Sequence, residues 1–200
     1  FLLSSNVGEI VVLFLATLFT SLFAKWFGIS DINHLEILLP IHILWINLVT
    51  DSLPALALAV DPAEKDVMDR KPNKNKSVFT KGMIWRIVYQ GILIGVITIV
   101  AFIVGLATPD ENLPVIEELT NEEIKVEIGQ TMAFCVLAFS QLVHVFNVRD
   151  NKTSIFKTGI FSNKQLILAV LASAALMLGI LLIPALRHVF SIPVLPVGNI

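Results

Sequence analysis

An aspartate stands in the middle of an apolar run long enough to cross a membrane. The segment from Ile37 to Val60 is almost wholly hydrophobic, yet Asn47, Thr50 and Asp51 lie near its centre. A carboxylate at the bilayer midplane costs at least ~3 kcal/mol on insertion scales, so it needs a partner or a task. Positions 47, 50 and 51 are spaced i, i+3, i+4. One helix face therefore carries an amide oxygen, a hydroxyl and a carboxylate. Three hard oxygen donors together inside lipid have the chemistry of part of a cation site.

The remainder of the chain suits the same setting. Of its 200 residues, 56% are hydrophobic and 15% charged. A helix needs ~20 residues to cross ~30 Å of hydrocarbon. Five segments reach that length: Leu2 to Ala24, Ile37 to Val60, Met83 to Ala107, Ile128 to Phe146, and Gln165 to Ile183. The expectation is an all-α membrane protein of five transmembrane helices, with the lipid bilayer as its surroundings. The single cysteine, Cys135, excludes a disulfide within the chain and fits a small buried residue. Nucleic-acid binding is not expected, because the basic loops lack interleaved aromatics. No basic stretch or cleavage site precedes the first apolar helix, which argues against a signal peptide. Beginning at Phe1 and stopping soon after Pro193, Pro196 and Gly198, the chain reads as a piece of a longer polypeptide.

Charge sorts by loop. Lys65, Arg70, Lys71, Lys74, Lys76 and Lys81 lie between spans two and three, and Arg149, Lys152, Lys157 and Lys164 between spans four and five. The loop between spans three and four instead carries Asp110, Glu111, Glu117, Glu118, Glu122, Glu123 and Glu127 against Lys125. The positive-inside rule then puts both basic loops in the cytoplasm and the acidic loop outside. That acidic loop reads as a solvated segment with a short helix over Leu119 to Glu127. The other reading is a funnel that gathers cations.

Two further segments bring polar groups to the depth of Asp51. Span one opens Ser4-Ser5-Asn6-Val7-Gly8-Glu9, with Asn6 and Glu9 spaced i, i+3. Glu9 lies ~22 Å from the outer end of its helix, Asp51 ~14 Å and Gln141 ~8 Å from the cytoplasmic ends of theirs, at the helical rise. These depths overlap, so three spans can converge on one cavity. Asn6, Glu9, Asn47, Thr50, Asp51 and Gln141 offer oxygens of three kinds, two of them carboxylates. Calcium takes ~6–8 such ligands at flexible geometry. Zinc and copper would want His or Cys, which these faces lack. On chemistry alone, sodium and Mn²⁺ stay open. Pro54 removes a backbone donor and frees a carbonyl near Thr50, as in helices that unwind beside an ion pathway. A plain kink is the simpler reading of that proline, and a helix-to-helix hydrogen bond the simpler reading of Gln141. His34, His42 and His144 lack partners at metal spacing and read as structural or solvated. Trp26, Trp45 and Trp85 fall near span ends, as interfacial belts predict.

The stretch Ser4 to Glu9, followed by Trp45-Ile46-Asn47-Leu48-Val49-Thr50-Asp51-Ser52-Leu53-Pro54-Ala55, closely resembles the calcium-transporting P-type ATPases, in their sarco/endoplasmic-reticulum-like branch. The run Asp61 to Pro72 is similar to that family's cytoplasmic loop between its sixth and seventh helices, and Thr131-Met132-Ala133 to the opening of its eighth. The resemblance implies that the five spans correspond to helices five to nine of a ten-helix transmembrane domain. It implies that Asn6, Glu9, Asn47, Thr50 and Asp51 are cation ligands, with Asp51 like the carboxylate that bridges two calcium sites. Gln141 falls where two-site pumps carry a glutamate, and Ser52 where a glycine is common.

In that family ATP and Mg²⁺ act on large cytoplasmic domains bearing a DKTGT motif. Neither that motif nor a Gly-rich phosphate loop occurs here. The expectation is the cation pathway of a calcium-exporting pump in the cell membrane, with protons returned in exchange and no ATP hydrolysis by this piece alone. A pump for Mn²⁺ or Na⁺, a secondary cation/proton exchanger and a purely structural anchor are the alternatives. Upstream sequence separates pump from exchanger. Tolerance of Gln and Asn at positions 9 and 51 would mark the anchor.

Overall fold

The computed structural model describes residues 1–30, 35–61, 81–108, 119–149 and 163–193. Among these, regular structure is helical throughout, and five helices are long and apolar enough to cross a membrane. The two basic loops and the acidic stretch from Asp110 to Glu118, on which the expected orientation rests, lie largely outside the described residues.

Helix α1 (Leu2–Phe27) stops where Gly28 turns left-handed at φ 67° and its N–H reaches back to the Ala24 carbonyl. Glycine takes that conformation without a Cβ penalty. The second membrane-length helix is composite. Pro40 starts α2 (Pro40–Trp45), where its missing N–H costs nothing. A π-helical segment, Ile46–Asp51, follows, and then α3 (Ser52–Ala59). The chain expected to unwind around Pro54 thus widens instead of uncoiling. Helices α4 (Lys81–Leu106), α5 (Asn121–Val148), α6 (Lys164–Leu182) and the short α7 (Pro184–Val189) complete the order. The short helix expected over Leu119 to Glu127 is not a separate element, since α5 runs unbroken from Asn121. Its start is a reciprocal cap: Thr120 accepts from the Glu123 N–H at 3.3 Å, and the Thr120 N–H donates to Glu123 at 2.7 Å.

Helix α5 is the axis of the bundle, with Ala133, Phe134, Leu137, Ala138 and Val145 fully enclosed. Lipid supplies no hydrophobic drive between helices, so they hold by close packing and polar contacts. Glycines provide the close packing. A Cβ on Gly91 would meet Val7 at 2.5 Å, and one on Gly95 would meet Val11 at 2.7 Å, so α1 lies directly on the α4 backbone. At the far end of α4, a Cβ on Gly105 would stand 2.5 Å from the Gly129 Cα of α5.

Polar knots tie both ends. At one, Arg149 grips Asp61 with two bonds of 2.7 and 2.9 Å. Asn163 adds donations to Asp61 at 3.0 Å and to the Ala57 carbonyl at 3.2 Å, while its oxygen caps α6 by accepting from the Leu166 N–H. The ends of α3, α5 and α6 are thereby fixed together. At the opposite end, buried His42 stacks on Phe134 at 4.4 Å, accepts from the Leu39 N–H through Nδ1 and donates through Nε2 to the Phe190 carbonyl. Nearby, Glu122 accepts from the Ser30 N–H at 2.8 Å.

Candidate cation site between α1, the π-helical segment and α5

Glu9 sits where three membrane-length helices meet. It is 6% exposed, and both carboxylate oxygens are occupied. Oε2 accepts from the Asn47 amide at 2.9 Å, and Oε1 from the Gln141 amide at 3.2 Å. Donors reach it from the π-helical segment and from α5, so one carboxylate binds all three helices. Asn47 also donates to the Ile43 carbonyl of its own helix at 3.0 Å, which fixes its orientation.

Asp51 lies within Coulombic reach of Glu9 and is fully buried, yet neither of its oxygens has a hydrogen-bond partner. Ser5 stands beside it without completing a hydrogen bond. The Thr50 hydroxyl and the Gln141 amide oxygen are also buried and unpaired. Among the described residues, every buried side-chain oxygen without a partner therefore belongs to Ser5, Thr50, Asp51 or Gln141. Each such atom costs about 1–3 kcal/mol, and more when charged, so a group of them at one place needs an explanation. A cation bound beside Asp51 is one group that would give such oxygens a partner. Among the described residues, no three His, Cys, Asp or Glu side chains gather, so the donor set has two carboxylates and is otherwise neutral oxygen. That composition suits a hard cation and not zinc or copper.

Of the six residues expected from sequence, the structure joins Glu9 to Asn47 and Gln141 by hydrogen bonds and puts Asp51 near Glu9, while Thr50 is buried next to Asp51 in the chain. Asn6 is on the exposed side of α1. Its i, i+3 spacing leaves it about 60° around the helix from Glu9, whereas Ser5, at i, i+4, is only about 40° away. Ser5 is the site-lining residue that the reading from sequence passed over, and that spacing was the available signal. For His144, read from sequence as structural or solvated, the structure favours the first. Far from solvated, it is 4% exposed and contacts the Ser4 hydroxyl at 2.7 Å, while Ser4 itself donates to the Phe1 carbonyl. This pins α5 to the start of α1 about one turn from Gln141.

Known proteins share this arrangement of sequence. The family described as cation transporting ATPase, C-terminus, matches residues 35–200. "Calcium-transporting ATPase 1" of Bacillus cereus is 44% identical over 195 residues, covering 96% of this chain and 20% of the relative. "Calcium-transporting ATPase" of Bacillus subtilis is 44% identical over 191 residues, covering 95% of this chain and 18% of the relative. The "Endoplasmic reticulum calcium ATPase srcA" of Aspergillus fumigatus is 28% identical over 210 residues, covering 96% and 20%. The chain thus spans about a fifth of the length of these relatives. With a match over most of its length and the helical membrane architecture that goes with it, the chain belongs to the C-terminal region of the cation-transporting ATPases.

Proposed function

We propose that this chain forms part of the cation pathway of an ATP-driven pump that exports calcium from the cytoplasm, with Glu9, Asn47, Thr50, Asp51 and Gln141 as ligands and Asn6 at the rim. The observation that carries this reading is the gathering of orphaned buried oxygens around two carboxylates at a three-helix junction. The ion is taken from the relatives, which are calcium-transporting ATPases. ATP and Mg²⁺ are handled by the rest of the pump polypeptide, which is also the principal partner of these helices, and the expected location is the cell membrane.

The physical cycle follows from the two carboxylates. With calcium bound, both are ionised and the unpaired oxygens of Thr50, Asp51 and Gln141 are satisfied. Once the ion leaves, Glu9 keeps only its amide donors and Asp51 has none, and two like charges share a buried site. Proton uptake relieves that repulsion and returns protons across the membrane as calcium leaves. Stoichiometry follows from charge. Two calcium ions carry four positive charges, and Glu9 with Asp51 supplies two negative ones. Gln141 is neutral where a third carboxylate would help, so one calcium per cycle is the preferred reading.

The test is Asp51→Asn in the complete pump. Calcium-dependent phosphorylation by ATP should be lost, while phosphorylation by inorganic phosphate, which needs the empty site, should survive. Near-normal calcium affinity in that variant would refute the ligand assignment.

A further inference from the structure

The composite helix must find donors for its carbonyls inside a membrane, where water offers none. Pro54 cannot donate. At α spacing the carbonyl it leaves bare is that of Thr50; at the wider π spacing it is that of Val49. Two hydroxyls serve this stretch. Ser52 donates to the Asn47 carbonyl at 2.9 Å from within the same helix. Ser173, on α6, donates to the Val49 carbonyl at 3.2 Å.

Ser173 bonds differently from most hydroxyls in these helices. Thr17, Thr20 and Thr98 each return their hydroxyl to the carbonyl four residues back, the ordinary arrangement for such side chains. Ser173 is fully buried and reaches across to a different helix. Its acceptor immediately precedes Thr50 and Asp51, whose side-chain oxygens are unpaired.

We propose that Ser173 is a positioning residue for the cation site: by holding the Val49 carbonyl it fixes the π-helical turn that presents Thr50 and Asp51 beside Glu9. Helix α6 contributes no ligand, yet it sets the affinity of the site. This rests on reading Glu9 and Asp51 as ligands, and the experiment separates the two ideas.

Ser173→Ala deletes the donor, Ser173→Cys keeps the shape with a weak donor, and Ser173→Thr keeps the hydroxyl. In the complete pump, the Ala and Cys variants should lose about threefold to fifteenfold in apparent calcium affinity, the range that interhelical hydrogen bonds in membranes span. The Thr variant should stay near wild type. Phosphorylation by inorganic phosphate without calcium should be unchanged in all three, which a general loss of structure would not allow. Unchanged calcium affinity in the Ala and Cys variants, beside an Asp51→Asn variant that has lost its calcium response, overturns the proposal and leaves the site in place. A calcium response retained by Asp51→Asn overturns both. The contact has its own readout. Carbonyl-¹³C valine with ¹⁵N threonine selects Val-Thr pairs, of which this chain has one, at 49–50, and in solid-state NMR of the complete pump in bilayers the Val49 carbonyl is the signal that Val49→Ile removes. Its resonance should move upfield in Ser173→Ala and Ser173→Cys. A resonance that stays put in either variant refutes the hydrogen bond itself.

Discussion

Replacing Gly105 with alanine should separate two helices that touch backbone to backbone. The added Cβ would sit 2.5 Å from the Gly129 Cα, 2.7 Å from its nitrogen and 3.1 Å from the Ile128 carbonyl carbon. Carbon atoms rest at about 3.5–4.0 Å, so α4 and α5 must part by about 1 Å or more at this crossing. No side chain can turn aside to absorb the change, because the obstructing atoms are main chain. Phe102 and Leu106, each 1% exposed, pack at the same crossing. A gap of 0.5–1 Å forfeits about a quarter to a half of each dispersion contact. In lipid those contacts are most of what holds the pair, so the expected loss is about 1–3 kcal/mol. The control is Gly82→Ala in the same helix, where a Cβ meets nothing within 4 Å. Alanine there, in the first turn of α4, should change stability by no more than about 0.5 kcal/mol. Reversible unfolding in mixed detergent micelles, followed by helicity, measures both. Equal stability of Gly105→Ala and Gly82→Ala would refute the backbone contact.

Three other outcomes are expected. Arg149→Met should cost about 1–2 kcal/mol of stability, less than a fully buried pair because the Asp61 side chain keeps 19% exposure. Arg149→Lys should recover little, since an ammonium cannot reproduce the two-bond grip, and recovery to wild-type stability in the same unfolding assay would count against it. Single cysteines placed within residues 62–80 and 109–118, after Cys135→Ser, should label from opposite sides of the membrane, and labelling from one side would sink the proposed orientation. Gln141→Glu in the complete pump should create or strengthen a second calcium site and raise cooperativity. Two tightly bound calcium ions per wild-type molecule in equilibrium binding would refute the one-ion reading.

Five spans and two buried carboxylates were legible in the sequence because hydropathy and misplaced charge are properties of single segments. Depth was legible too: counting residues from helix ends brought Glu9, Asp51 and Gln141 to overlapping heights, and Gln141 does donate to Glu9. Azimuth was harder. A count along the axis gives height and says little about direction around the helix, so it does not show that Ser5 is buried while Asn6 lies on the exposed side of α1. The π-helical segment was half legible, since Pro54 announced a lost donor but not which carbonyl lost it. Contacts between distant segments, such as Ser173 with Val49 or Arg149 with Asp61, leave no periodic trace. They depend on which helix ends up beside which. The glycine pair 91 and 95 did carry a readable signal in its four-residue spacing, the one expected where helices approach closely in membranes.

The glycine contacts also determine how movement travels. Where helices meet through long side chains, a displacement of one can be taken up by rotamer changes before the next responds. Between α4 and α5 the Gly105–Gly129 crossing is bare backbone, and between α1 and α4 the β-branched Val7 and Val11, which have few rotamers in a helix, press on the backbone of Gly91 and Gly95. The linkage therefore leaves little room for side chains to absorb a displacement where α4 meets α1 and α5. The composite helix meets α1 differently, through the polar contact of Asn47 with Glu9, while Ser173 bonds the Val49 carbonyl of its widened turn.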